Sequence, residues 1–291
     1  MANSALYLST ADLEDLAEPV EYVDVVRDAY RQRGDGVPAN VPNSITTDEP
    51  DSDITSYTAM LPETGVMGGY IYSVGANDGW FITPLFDIES GEVLAILDGT
   101  YWNPLKTGAV AAVGTEALAR ESASSVGVIG TSRVARGVLK TVATVRDIEQ
   151  IRVYSRTPEN RTSFAEGIDG DFSATVSAVS SSAEAVVDAD IVVTATNADQ
   201  PVFNGENLAS GAHVNAMGQS GYEREIGVRT FERVEKYVPD LRERVFAHAV
   251  QERRRAAGGF LKAFEEGKVA ENDIYPELGS VVSGTVPGRE T

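Results

Sequence analysis

The segment Val126-Gly127-Val128-Ile129-Gly130-Thr131-Ser132-Arg133-Val134-Ala135 constrains this chain more than any other. It reads as a short buried strand that ends at Gly130 and turns at once into a helix. A Gly-x-Gly-x-x-Gly/Ala turn uses one glycine for the tight bend and a second where backbone must approach a pyrophosphate. It needs a small third residue where helix meets strand. Gly130 and Ala135 fill the first and third positions, and Ser132 the second. The start of such a helix offers free N–H groups and a partial positive charge to an anion. Serine is small, and its hydroxyl is a candidate phosphate donor. A plain tight βα turn would carry the same letters, so the surrounding rhythm decides the reading.

That rhythm is an alternation of strands and helices. Apolar runs at Val126–Ile129, Ile151–Tyr154, Ala174–Val179, Ile191–Thr196 and His213–Met217 predict strands, with a last one at Lys236–Val238. Helical stretches fall near Ser132–Val145, Glu159–Glu166 and Ala183–Asp188. This order predicts right-handed βαβ units and a parallel sheet covered on both faces. The turn is therefore read as a dinucleotide site made by Gly130, Thr131, Ser132, Arg133 and Val134.

The second strand runs into Tyr154-Ser155-Arg156-Thr157. A site for NAD(H) normally carries an acid here, which would repel a 2′-phosphate, whereas arginine pairs with it. Ser155, Arg156 and Thr157 are expected to hold the adenosine ribose, and NADP(H) is expected over NAD(H). The alternative is that Arg156 is a solvated residue at a helix start. Thr196 and Met217-Gly218 close the fourth and fifth strands, the carboxyl ends where open α/β sheets bind ligands. They are expected to line the nicotinamide half.

The region before Ser124 reads as mixed α/β. Leu13, Leu16, Val20, Val23, Val26 and Tyr30 predict one amphipathic helix over Asp12–Arg33. A polar stretch follows over Gly34–Asp53. Strands are predicted at Ile54–Met60, Tyr70–Val74, Trp80–Asp87 and Val93–Leu97, the last two joined by a hairpin turn at Glu89–Glu92. Thr107–Arg120 is Ala-rich and helical. Arg242–Glu266 is expected to be largely helical and to pack back on the first region.

Composition narrows the function classes. The chain has 291 residues, a formal charge of −20 and no cysteine. Disulfides, thiolate nucleophiles and cysteine metal sites are excluded. The only histidines are His213, expected to be structural, and His248, expected to be solvated, so no metal site is expected. A surface this acidic repels nucleic acid and anionic membrane. Only five of the 24 basic residues are lysine, which with the acidity points to halophilic adaptation. The basic run Arg253-Arg254-Arg255 is read as intramolecular ion pairing. No apolar run reaches the ~18 residues of a membrane span. The first ten residues lack a secretory pattern, so a cytoplasmic protein is expected.

From about Met60 onward the chain resembles the ornithine cyclodeaminase/μ-crystallin family. The resemblance is carried by Leu97-Asp98-Gly99-Thr100-Tyr101, Leu105-Lys106-Thr107-Gly108-Ala109, the glycine turn and Val192–Thr196. It continues through Gly211–Gly218, Glu277-Leu278-Gly279 and Pro287-Gly288-Arg289. It implies a Rossmann-type doubly wound parallel sheet with a second mixed α/β domain for substrate and dimerisation. The expected division is 1–122 for that domain, 123–248 for the dinucleotide domain and 249–291 for a helical return segment. It further implies a homodimer, and nicotinamide chemistry between an amino acid and its imine.

The pattern also departs from that family. Asn40 stands nearest the arginine that holds the substrate carboxylate, Tyr70 at the catalytic lysine, and Gln219-Ser220 where cyclodeaminases place an aspartate. Lys106 replaces the arginine before Thr-Gly-Ala, keeping charge without the fork. Relatives also continue beyond the stretch around Arg289. Cyclodeaminase activity is therefore not expected. Two classes stay open: an NAD(P)-dependent oxidoreductase on an amino or imino acid, with Tyr70 donating a proton, Lys106 clamping a carboxylate or cofactor phosphate and Thr107 beside the cofactor, or a dinucleotide-binding protein without catalysis.

Overall fold

A computed structural model describes residues 5–14, 16–39, 43–48, 51–74, 79–218, 225–246 and 258–289. Two sheets organise it. The first contains β1 (Leu6–Leu8), β2 (Asn43–Asp48), β3 (Asp51–Leu61), β4 (Val66–Val74), β5 (Trp80–Asp87) and β6 (Val93–Asp98) in the order β1-β6-β5-β4-β3-β2. Its neighbours are antiparallel except β1, which runs parallel to β6. Helices α1 (Thr10–Leu13), α2 (Pro19–Gly34) and α3 (Trp102–Leu118) complete this part.

The second sheet contains β7 (Ser125–Ile129), β8 (Gln150–Tyr154), β9 (Thr175–Ala178), β10 (Ile191–Thr194) and β11 (His213–Ala216). Helices α4 (Arg133–Val142), α5 (Pro158–Ile168) and α6 (Ser182–Val186) alternate with its strands. The order is β11-β10-β7-β8-β9 and every pair is parallel. This is the doubly wound arrangement that the alternation predicts. Val126, Val128, Ile151, Val153, Ile191 and Val193 are buried on one face, and Ile129 and Val192 on the other. Each contributes roughly 1.5–3 kcal/mol relative to an exposed side chain. Short helices α7 (Val228–Phe231) and α8 (Glu243–Phe246), then α9 (Gly258–Glu265) and α10 (Leu278–Val282), follow. No helix among the described residues is long and apolar enough to cross a membrane.

Contact between α3 and α4 joins the two parts. A Cβ at Gly137 would lie 2.2 Å from the Pro104 carbonyl oxygen, and one at Gly108 would lie 2.5 Å from the Gly137 carbonyl carbon. Only glycines let the backbones meet this closely, and the contact fixes Lys106 and Thr107 relative to the start of α4. The α10 segment rests on α2, where Arg33 pairs with Glu277 at 2.7 Å.

The two faces of the first sheet differ. On one, Tyr57 stacks on Tyr70 (4.7 Å) and Tyr72 on Phe81 (5.2 Å), and Trp102 of α3 meets Tyr70 edge-on. On the other, Ile45 pairs with Ile54, which pairs with Ser73, which pairs with Trp80. Ile45 is 75% exposed, Trp80 68% and Ile54 48%.

Four expectations are corrected. The helix over Asp12–Arg33 is two helices, because Pro19 holds Glu18 in extended backbone (ψ 156) and restarts the helix. Asn43–Asp48, within the polar stretch, pairs residue by residue with β3. Lys236–Val238 is no strand: only Tyr237 bridges, to Ile274, and the sheet ends at β11. The tail over Arg242–Glu266 is helical only in α8 and α9 among the described residues. Arg253–Arg255 and His248 lie outside the described residues, as do Asn40, Gln219 and Ser220.

Candidate active site

β7 ends in Gly130, whose φ is +113. That backbone conformation suits glycine, and a Cβ there would also stand 2.3 Å from the Ala195 carbonyl oxygen. The Gly130 N–H donates to the Tyr154 carbonyl at 2.9 Å, which pins the turn to β8. Ser132 is the N-cap of α4. Its hydroxyl accepts from the Ala135 N–H at 3.2 Å and donates to the Ala195 carbonyl at 3.1 Å. Here the serine hydrogen is engaged within the turn, at the Ala195 carbonyl.

What remains for an anion is backbone. Helix geometry leaves the first N–H groups of α4 without intrahelical partners. Ser132 and Arg133 are exposed, and Thr131 and Val134 half-buried, so the turn opens to solvent. A glycine bend, open N–H groups and a helix of ten residues aimed at one point fit a dinucleotide diphosphate. The arginines nearby divide into two kinds. Arg136 donates to the Gly167 carbonyl, and Arg161 to the Ser155 carbonyl while lying over the Tyr154 ring. Arg133 and Arg156 are exposed and enter no salt bridge among the described residues. Thr157 precedes α5 without a capping hydrogen bond from its side chain.

At the carboxyl ends of β10 and β11 a residue missed in the sequence dominates. Glu225 is 2% exposed and sits at φ +57. Its carboxylate accepts from the Thr194 hydroxyl (2.8 Å), the Thr196 N–H (2.5 Å) and hydroxyl (2.7 Å), and the Gly218 N–H (2.7 Å). It fastens the two strand ends that carry Thr196, Met217 and Gly218. No sequence pattern marks it, because its partners lie on other strands. His213 opens β11 at the opposite end from these groups. Burial holds its imidazole down at about 4, and it bonds Asn215, which donates to Thr115. This is a structural arrangement.

Tyr70 and Lys106 come together. The Lys106 ammonium lies 4.6 Å from the centre of the Tyr70 ring and 6.0 Å from that of Trp102. No carboxylate is bonded to it among the described residues. Burial first, and then the charge of Arg244, lower its pKa to about 8. Burial pushes the Tyr70 hydroxyl well above the ordinary range. The lysine is thus the stronger acid of the two. Trp102 Nε1 is buried and without a hydrogen-bond partner among the described residues.

The family profile described as "Ornithine cyclodeaminase/mu-crystallin family" matches residues 75–291. Delta(1)-pyrroline-2-carboxylate reductase of Bacillus cereus is 36% identical over 211 residues, 72% of this chain and 62% of that protein. Rat ketimine reductase mu-crystallin is 32% identical over 204 residues, 70% of this chain and 59% of that protein. The matched segment thus spans less than two thirds of either relative. Delta(1)-pyrroline-2-carboxylate reductase of Thermococcus litoralis, solved with NADH and L-proline, superposes with a TM-score of 0.89. It is 28% identical and covers 98% of this chain and 88% of that one.

Proposed function

This chain belongs to the ornithine cyclodeaminase/mu-crystallin family, and on that premise we propose that it is an NAD(P)-dependent oxidoreductase that reduces a small cyclic imino acid. The observation that carries the reading is Lys106: a cation without a bonded acidic partner among the described residues, against an aromatic wall, on a helix packed against α4, the helix that follows the dinucleotide-type turn. The Bacillus cereus relative is named for reduction of such a substrate.

When bound, the nicotinamide supplies a hydride to the imine carbon. The chain supplies the rest. The turn at Gly130, with Thr131, Ser132, Arg133 and Val134, holds the diphosphate through backbone N–H groups. Thr196, Met217 and Gly218, fastened by Glu225, flank the nicotinamide half, and Thr107 faces the cofactor from α3. Lys106 Nζ delivers a proton to the imine nitrogen, for which a pKa of about 8 is well placed. Tyr70 stays protonated and serves as ring surface, a role that moves the expected proton transfer from Tyr70 to Lys106. Arg156, free of ion pairs among the described residues and beside Ser155 and Thr157, selects NADP(H) through its 2′-phosphate.

The exposed row of Ile45, Ile54 and Trp80 supports a homodimer formed across that face of the first sheet. NADPH titration followed by tryptophan fluorescence in molar salt tests the cofactor site. Turnover across a panel of cyclic imino acids then separates a reductase from a protein that only binds the dinucleotide. Binding without any turnover contradicts the reductase reading.

A further inference from the structure

Lys106 is one end of a longer array. Tyr70, over which it lies, stacks on Tyr57 with ring centres 4.7 Å apart and planes 10° from parallel. The Arg244 guanidinium of α8 lies 5.7 Å from the centre of the Tyr57 ring. A stack of two aromatic rings therefore carries a cation against each member, and the two cations come from segments far apart in sequence.

The charges do not balance. Arg244 Nη1 bonds Asp240 at 2.6 Å. Its Nε and Nη2 have no partner among the described residues, and neither has Lys106 Nζ. Two cations against one carboxylate leave this array positive, in a chain whose formal charge is −20. Lys106 and Arg244 also press on each other, since the arginine is the largest charge lowering the lysine's proton affinity. An array of like charges, half sequestered from water, is held at a cost that an incoming anion would offset. The unpartnered Trp102 Nε1 beside Tyr70 adds a third donor to the same wall.

We infer that Arg244 binds the carboxylate of the imino- or amino-acid substrate, together with Lys106, and that the Tyr57–Tyr70 stack supplies the flat surface beside it. This rests on the function proposed above and names the residue that fixes its substrate class. The guanidinium suits the task. It is permanently charged, its free edge presents two parallel donors, and that edge matches a carboxylate bidentately. Lys106 is then left to exchange its proton while Arg244 keeps the anion in place. Asp240 holds the guanidinium by its other edge.

The test uses L-proline and L-prolinamide as probes, titrated into the full-length protein saturated with NADPH or NADP+. Wild type is compared with Arg244→Gln and Arg244→Lys, with NADPH affinity measured in parallel. Arg244→Gln is expected to weaken L-proline at least tenfold and to erase most of the preference for proline over its amide. NADPH affinity is expected to stay within twofold. Arg244→Lys is expected to recover part of the loss. Asp240→Asn removes the negative charge of the tether and leaves Arg244 charged; it is expected to keep the preference for the carboxylate.

Unchanged proline binding in Arg244→Gln, with NADPH binding intact, overturns the role of Arg244 alone. So does an equal loss for proline and prolinamide, or loss of the preference in Asp240→Asn. Failure of wild type to bind L-proline while binding NADPH overturns the substrate class as well. Should Arg244→Gln fail to fold, Arg244→Lys and Asp240→Asn decide the matter by the same ratio.

Discussion

Lys106 holds its ammonium 4.6 Å from the centre of the Tyr70 ring, and burial keeps its pKa at about 8. An acid that must be protonated to act is lost as pH rises through that value. The predicted kcat/KM for imine reduction is flat below pH 8 and falls about tenfold per pH unit above it. Lys106→Arg keeps the charge but does not release a proton near neutrality, so the rate is expected to drop by roughly 10²–10⁴. Stability moves the other way. The unfolded lysine keeps its proton up to its ordinary pKa of 10.5, so the folded state gains stability from pH 8 to 10.5 and carries a constant penalty below pH 8. Lys106→Met is therefore expected to be inactive yet more stable at pH 7, by on the order of 1–3 kcal/mol in denaturant unfolding.

Gly130 meets two demands, a positive φ and the Ala195 carbonyl 2.3 Å from where a Cβ would stand. Gly130→Ala is predicted to cost at least about 2 kcal/mol in urea unfolding and to abolish nucleotide binding in the surviving folded fraction. A variant with normal NADPH affinity would show that the turn does not hold the diphosphate.

Arg156 is exposed and has no ion pair among the described residues. A hydrogen bond to a charged group contributes about 1.5–3 kcal/mol. Arg156→Gln is expected to weaken NADPH roughly 10–100-fold and to leave NADH nearly unchanged. Equal losses for both nucleotides would remove the basis for NADP(H) preference.

His213 is half-buried, and desolvation lowers its pKa to about 4 against 6.5 when free. Between those values the unfolded chain binds the extra proton, so stability rises with pH and is lost as pH falls from about 6.5 toward 4. The loss is expected to reach on the order of 3 kcal/mol, measured by denaturant melts across that window. His213→Gln should flatten that part of the pH profile.

The parallel sheet was legible in the sequence because its strands are short β-branched runs buried on both faces, such as Val126–Ile129 and Ile191–Thr194. The Gly130 turn was legible because its conformation leaves little choice of residue. The split between α1 and α2 was signalled by Pro19, which the apolar spacing around it outweighed. β2 was hidden because Asn43-Ser44-Ile45-Thr46-Thr47-Asp48 has no apolar alternation; its register comes from β3. Lys236–Val238 reads as a strand by composition but finds no place beside β11. Of the candidate site, the Gly130 turn came from local pattern and Lys106 from the family resemblance. Glu225 and Arg244 came from neither, since Thr194, Gly218 and Tyr57 become their neighbours only after the chain has folded.

Hydride delivery to an imine carbon is the centre of this account. It is tested most directly by incubating the protein with NADPH deuterated at the transferable position and Δ1-pyrroline-2-carboxylate in molar salt, then reading the product by mass spectrometry. The predicted result is proline carrying one deuterium at Cα for each NADPH consumed. NADPH bound but never consumed, or consumed with no deuterium at Cα, would contradict it.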